Sequence, residues 1–174
     1  MCSSDLEKLL ELLLCARTAR TLGAQKLTLI APYLAYMRQD MAFLPGEVVS
    51  QLVIGEFLAS LFDTVVTVDP HLHRIDSLDQ AIPGRRTVVL SGAPLLADLI
   101  AQMHTAPLLI GPDEESAQWV ESAATRHGFD AGVCTKVRRG DRNVTISLPD
   151  LPIKGHSVVL MDDVASSGET LIQA

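Results

Sequence analysis

The chain has 174 residues, 48% of them hydrophobic and 20% charged, with 14 basic and 21 acidic side chains for a formal net charge of −7. That length can bury a core, and a mean hydropathy of +0.26 excludes a disordered chain. The longest apolar runs, residues 9–16 and 27–37, fall short of the roughly 18 residues a membrane span needs. An acidic pI near 5.1 argues against a nucleic-acid backbone as partner. Cys2, Cys15 and Cys134 are odd in number and far apart, so neither a disulfide framework nor a zinc knuckle is indicated. Asp5, Glu7 and Glu11 stand where a signal peptide would be basic and then apolar, and a reducing cytoplasm is the expected compartment.

In chain order, the spacing predicts a helix over residues 5–22, with Leu6, Leu9, Leu10 and Leu13 on its inner face and Gly23 as its stop. A strand follows at 27–31, then a helix at 47–62 after Pro45-Gly46. Residues 64–68 are β-branched and apolar throughout, as a strand buried on both faces requires. Residues 71–86 are polar and carry Pro83-Gly84, which reads as a linker. The alternation resumes with a strand at 87–90, a helix at 94–103, a strand at 108–110 and a helix at 114–127 stopped by Gly128. Strands at 131–137 and 144–148 flank a loop whose Gly140 and Asn143 suit a hairpin, and a strand at 158–161 runs into Asp162-Asp163. Strands alternating with helices mean an α/β fold with mostly parallel sheets. Two lobes are expected, residues 1–84 and 85–174. A last helix starts near Thr170, four residues before the final Ala174, so the chain reads as a piece of a longer protein.

The most informative string covers residues 158–170. It is a buried strand, two carboxylates at its carboxyl end, and then a loop of small and hydroxyl residues opening a helix. In parallel sheets ligands bind at the carboxyl ends of strands, and a helix start offers unpaired N–H groups to a phosphate. Ser166, Ser167 and Thr170 add hydroxyl donors, Gly168 permits close backbone approach, and Asp162 and Asp163 suit ribose hydroxyls or a hard cation such as Mg2+. The string, with Glu169, resembles the phosphoribosyl-pyrophosphate loop of type I phosphoribosyltransferases and of ribose-phosphate pyrophosphokinases (PRPP synthetases).

Other segments resemble the second of these families, in its order along the chain. Arg38-Gln39-Asp40 looks like its ATP-contacting segment; a planar guanidinium and an amide suit stacking on adenine and bridging phosphate oxygens. Asp69-Pro70-His71 looks like its Asp-x-His strand end, which implies a role for His71 in holding the Mg2+ of Mg·ATP. His73 lies close by, and the sequence alone does not separate the two imidazoles. Pro112-Asp113 resembles its second metal or ribose contact, although Glu114-Glu115 stands where the family usually has two glycines. Lys136 and Arg138, two apart on one strand face, resemble its Lys-x-Arg and would embrace a polyphosphate.

The resemblance implies two phosphoribosyltransferase-like lobes and transfer of the diphosphoryl group of Mg·ATP to ribose 5-phosphate, giving PRPP and AMP for nucleotide biosynthesis. Lys136 and Arg138 would be catalytic. Arg38, Gln39 and Asp40 would bind ATP, residues 162–170 would bind ribose 5-phosphate, and His71 and Asp113 would hold metal. It also implies a homo-oligomer in the complete protein. Two other readings stay open: a nucleobase phosphoribosyltransferase, and a non-catalytic regulatory relative favoured by Glu114-Glu115.

Overall fold

The computed structural model describes residues 3–139, 143–165 and 168–174; the side chains of 3–5, 136–139, 143–145, 169 and 170 lie outside the description. The chain forms two compact units, Met1–Leu90 and Ser91–Ala174.

The first unit runs α1 (Ser3–Thr21), β1 (Thr28–Ala31), α2 (Ser50–Leu61), β2 (Thr64–Val68), α3 (Leu78–Ala81) and β3 (Arg86–Leu90). Its three strands are parallel, in the order β1-β2-β3. The β-branched β2 is central, with Val65 and Thr67 fully buried. Gly23, at φ +99°, ends α1. Arg20 then donates to the carbonyls of Ala24 and Gln25 and pairs with Asp63 at 2.5 Å. The same Asp63 carboxylate accepts the Leu27 N–H at 2.7 Å, which fastens the start of β1 to the start of β2. The Leu27 N–H first, and Arg20 second, hold the Asp63 carboxyl below its usual range.

Three expectations change here. Leu12, Leu13 and Ala16 face the core, while Leu6 and Leu10 are exposed. The helix is so rich in leucine that several stripes were available, and the one beginning at Leu9 and continuing through Leu12, Leu13 and Ala16 has the i, i+3, i+4, i+7 spacing. Residues 71–86 are not a linker. They carry α3, and Leu78, Ala81 and Ile82 are fully buried; a four-residue helix is too short to display a helical period. β3 also belongs to the first sheet, pairing Val88 with Val66 and Leu90 with Val68, so the division follows Leu90 and not residue 84.

The second unit contains α4 (Ala93–Met103), β4 (Leu108–Gly111), a 3-10 turn (Glu114–Ser116), α5 (Ala117–His127), β5 (Asp130–Val133), β6 (Thr135–Arg139), β7 (Asn143–Ser147), β8 (Val158–Leu160) and α6 (Glu169–Gln173). Its parallel sheet has the order β5-β4-β8, and every residue of β4 is buried. Ala93, Ala97, Trp119, Val120 and Ala123 of α4 and α5 pack over Leu109 and Met161. The strand expected over 131–137 is two strands broken at Cys134. There the N–H of this buried residue bonds to the Gly111 carbonyl at 2.8 Å and the chain leaves the parallel sheet. β6 and β7 then form an antiparallel hairpin with Lys136 opposite Ile146 and Arg138 opposite Val144. Among the described residues no helix is long and apolar enough to cross a membrane.

Candidate functional site

In the first unit the strand ends are tied together. The Val68 N–H bonds to the Pro32 carbonyl at 3.3 Å, and the N–H of Asp69, at φ +41°, bonds to the Leu90 carbonyl at 2.9 Å. Beyond them Leu72 and Ile75 pack against the core, which fixes the segment that carries His71 and His73. The two rings meet edge to face, centroids 3.8 Å apart, with His73 Nε2 3.1 Å from His71 Nδ1.

The Arg38-Gln39-Asp40 segment is held by the buried Gln51 of α2. Its N–H bonds to the Gln39 carbonyl at 3.2 Å and its amide donates to the Met37 carbonyl at 3.1 Å. Gln39 donates its own amide to the Met41 carbonyl, and Asp40, 8% exposed, pairs with Arg74 Nε at 3.3 Å. The ion pair joins this segment to the one bearing His71. Of the three residues expected to bind ATP, Arg38 is exposed, while Gln39 and Asp40 hold the loop in shape. Sequence reasoning missed Gln51 and Arg74. Gln51 shares the i, i+3, i+4, i+7 spacing of Ile54, Gly55 and Leu58 on the buried side of α2, which was a usable signal; nothing distinguished Arg74 from any surface arginine. A cavity of about 390 Å³ lies between α1, β1 and α2, lined by Leu9, Leu12, Cys15, Ile30, Tyr33 and Tyr36 among others. Its walls are mostly apolar, with Lys8 and Glu11 among them, and Arg38, Gln39 and Asp40 do not line it.

In the second unit Asp113 and Asp162 each stand two residues past the ends of the neighbouring strands β4 and β8. This is the end of a parallel sheet where ligands bind. The Asp113 carboxylate accepts the Glu115 N–H at 3.2 Å, and its carbonyl accepts the hydroxyl of the buried Ser116 at 2.5 Å. Gly111 makes room for that turn: a Cβ there would overlap the Ser116 hydroxyl and lie 2.9 Å from Val133 Cγ1. Glu114 and Glu115 are exposed in the turn. Asp162 accepts the Asp163 N–H at 3.0 Å. Burial, and then the charges of Asp163 and Asp113, push the Asp162 carboxyl up to about 6. Burial and Asp113 likewise push the Cys134 thiol up, so it is a packing residue and not a nucleophile.

Gly168, at φ +76°, accepts the Ile172 N–H at 2.9 Å as α6 begins. Ser166 and Ser167 lie outside the described residues, as do the side chains of Lys136, Arg138, Glu169 and Thr170.

A raised carboxyl pKa favours the folded state below about pH 4, and that contribution is lost as pH rises through about 6. Asp113→Asn removes one of the charges opposing ionisation. The midpoint for Asp162, followed by carboxyl carbon resonances, is expected to fall in that variant; an unchanged midpoint would mean that the two carboxylates do not sense each other.

Residues 1–61 match the family model described as the N-terminal domain of ribose phosphate pyrophosphokinase. Over 169 residues and 95% of its length, the chain is 31% identical to a ribose-phosphate pyrophosphokinase of Halobacterium salinarum and 35% identical to one of Saccharolobus solfataricus. It spans 58% and 57% of those relatives. The crystal structure of phosphoribosylpyrophosphate synthetase from Mycobacterium smegmatis shares the fold with a TM-score of 0.73, at 22% identity, over 94% of this chain and 52% of that one.

Proposed function

From the kinship of this chain with the ribose-phosphate pyrophosphokinases along 95% of its length, we propose that the full-length protein moves the diphosphoryl group of Mg·ATP onto ribose 5-phosphate, releasing AMP. The observation that carries the reading is the pair of carboxylates, Asp113 and Asp162, at the ends of adjacent parallel strands, with the 162–170 loop running on from one of them.

Such a transfer asks little covalent help of a protein; it asks for alignment and for neutralisation of developing charge. The first unit handles the donor. Arg38 meets the nucleotide from a loop that Gln51, and Arg74 through Asp40, keep in place. The second unit handles the acceptor. Asp162 and Asp163 accept hydrogen bonds from ribose hydroxyls, while Ser166, Ser167, Gly168, Glu169 and Thr170 surround the 5-phosphate. Lys136 and Arg138 neutralise charge growing on the oxygen that leaves with AMP.

The donor set suits Mg2+ in one part. Asp113 is a hard oxygen donor fixed by the Glu115 N–H, whereas the His71 imidazole suits this ion less well. Mg2+ held at Asp113, or at His71, would screen the charge of the triphosphate. Cys15 is exposed and unpaired and Cys134 is buried and unpaired, which supports the cytoplasm as the compartment.

AMP released from Mg·ATP only when ribose 5-phosphate is added is the expected result for the full-length protein. Its absence, with ribose 5-phosphate still bound, would favour the non-catalytic reading to which the exposed Glu114-Glu115 points. Calorimetry on Asp163→Ala should show ribose 5-phosphate binding weakened by about 1–3 kcal/mol, the scale for lost charged hydrogen bonds. Equal affinity in variant and wild type would remove residues 162–170 from the site.

A further inference from the structure

We propose that Arg74 is a positioning residue for the phosphate donor: through Asp40 it locks the loop carrying Arg38 to the segment carrying His71, so that both meet Mg·ATP as one piece. The inference rests on the proposed reaction for the identity of the ligand, and on the geometry of the first unit for the lock.

The carboxylate of Asp40 is the pivot. Only 8% of its side chain reaches solvent, although it lies in a loop. Among the described residues its ion-pair partner is Arg74, whose Nε stands 3.3 Å away. An ionised carboxylate kept from water is costly without a partner, so Asp40 stays with Arg74 instead of reaching for a ligand. Its charge would also repel a triphosphate, a second reason to read it as a lock and not a contact.

Each side of the lock is anchored. Met37 is buried one residue before Arg38, and the Gln39 carbonyl after it accepts the Gln51 N–H. In the other segment the Asp69 N–H is bonded to the Leu90 carbonyl, and Leu72 and Ile75 pack against the core on either side of His73 and Arg74. The ion pair then fixes the two segments relative to each other. A site already in its bound arrangement avoids an ordering cost when ligand arrives. Releasing the lock therefore weakens the donor and leaves the acceptor alone. A pair that merely supported the fold would lower stability without singling out ATP.

Steady-state kinetics of the full-length protein separate the two accounts. R74A should raise the Michaelis constant for Mg·ATP by about tenfold, with kcat and the constant for ribose 5-phosphate within about twofold of wild type. The pair is described by one contact, from Nε, so R74K, which keeps the charge, should recover most of the loss. D40N should match R74A, and D40N/R74A should be no worse than either, because both remove one interaction. Hydrogen exchange needs no ligand: the amides of residues 38–40 and 71–73 should exchange faster together in R74A, while those of β2 keep their rate. An unchanged Mg·ATP constant in R74A, losses in D40N and R74A that multiply, or unmoved amides in both segments would overturn the positioning role. If the wild type makes no AMP, Mg·ATP affinity lost in R74A and regained in R74K, read by calorimetry, would sink the proposed reaction and leave the lock standing. AMP formation with R74A indistinguishable from wild type would do the reverse.

Discussion

Lys136→Ala in the full-length protein is expected to slow ribose 5-phosphate-dependent AMP formation by about 10²–10³-fold, the scale for deleting one preorganised electrostatic donor. The ammonium is proposed to act on charge that grows as the bond from the β-phosphorus to the AMP oxygen breaks. An interaction stronger in the transition state than in the ground state lowers turnover when removed and barely moves apparent affinity. The Michaelis constants for ATP and ribose 5-phosphate should therefore change far less than kcat. Arg138→Ala should behave alike. The double variant should lose less than the product of the two, since both act on one charge. Raised Michaelis constants with turnover intact would make Lys136 a binding residue. No change in either would make the hairpin of β6 and β7 a charged sheet edge.

Gly55→Ala should destabilise the first unit, against the ordinary rule for helices. In an open helix this exchange gains about 1 kcal/mol. At position 55 a Cβ would overlap the Ala81 carbonyl oxygen and lie 2.7 Å from its carbon, both backbone atoms that cannot swing aside. α3 would have to move off α2, drawing the fully buried Leu78 and Ile82 with it. Overpacking of this kind costs about 1–3 kcal/mol or more and outweighs the propensity gain. Melting followed by circular dichroism should show Tm lowered by several degrees, at about 4–8 °C per kcal/mol for a unit of this size. A raised Tm would mean that α3 does not rest on Gly55.

The same pair of helices shows where sequence reading reached its limit. Long periodic elements such as α1 and α4, and β-branched β2, announced themselves, because their pattern repeats often enough to exceed chance. α3 did not: its four residues are too few to show a helical period, and its fit against Gly55 of α2 is a tertiary contact that no local pattern encodes. The break at Cys134 was hidden for a different reason. No turn-forming residue separates β5 from β6, and the change of partner comes with a long-range bond to Gly111. In the candidate site the strand-end position of Asp162 was legible from the apolar run before it, whereas Asp113 was singled out by the family resemblance. The supports were not. Arg74 pairs with a residue 34 positions away, and no local pattern encodes that distance.

The strand order of the second sheet has a consequence for the growing chain. β1, β2 and β3 follow one another along the sequence, so these three strands can pair as soon as Leu90 clears the ribosome. β4 needs a partner on each side, and the second, β8, begins 25 residues after Val133 ends β5. At about 5–20 residues per second, the open flank of β4 stays bare for roughly one to five seconds during each synthesis. Its sequence, Leu-Leu-Ile-Gly, carries no charge to discourage another strand from pairing there. Synthesis slowed between residues 133 and 158 would lengthen that interval, and the yield of native chain in a cell would then depend on translation speed and on chaperones able to shield that flank.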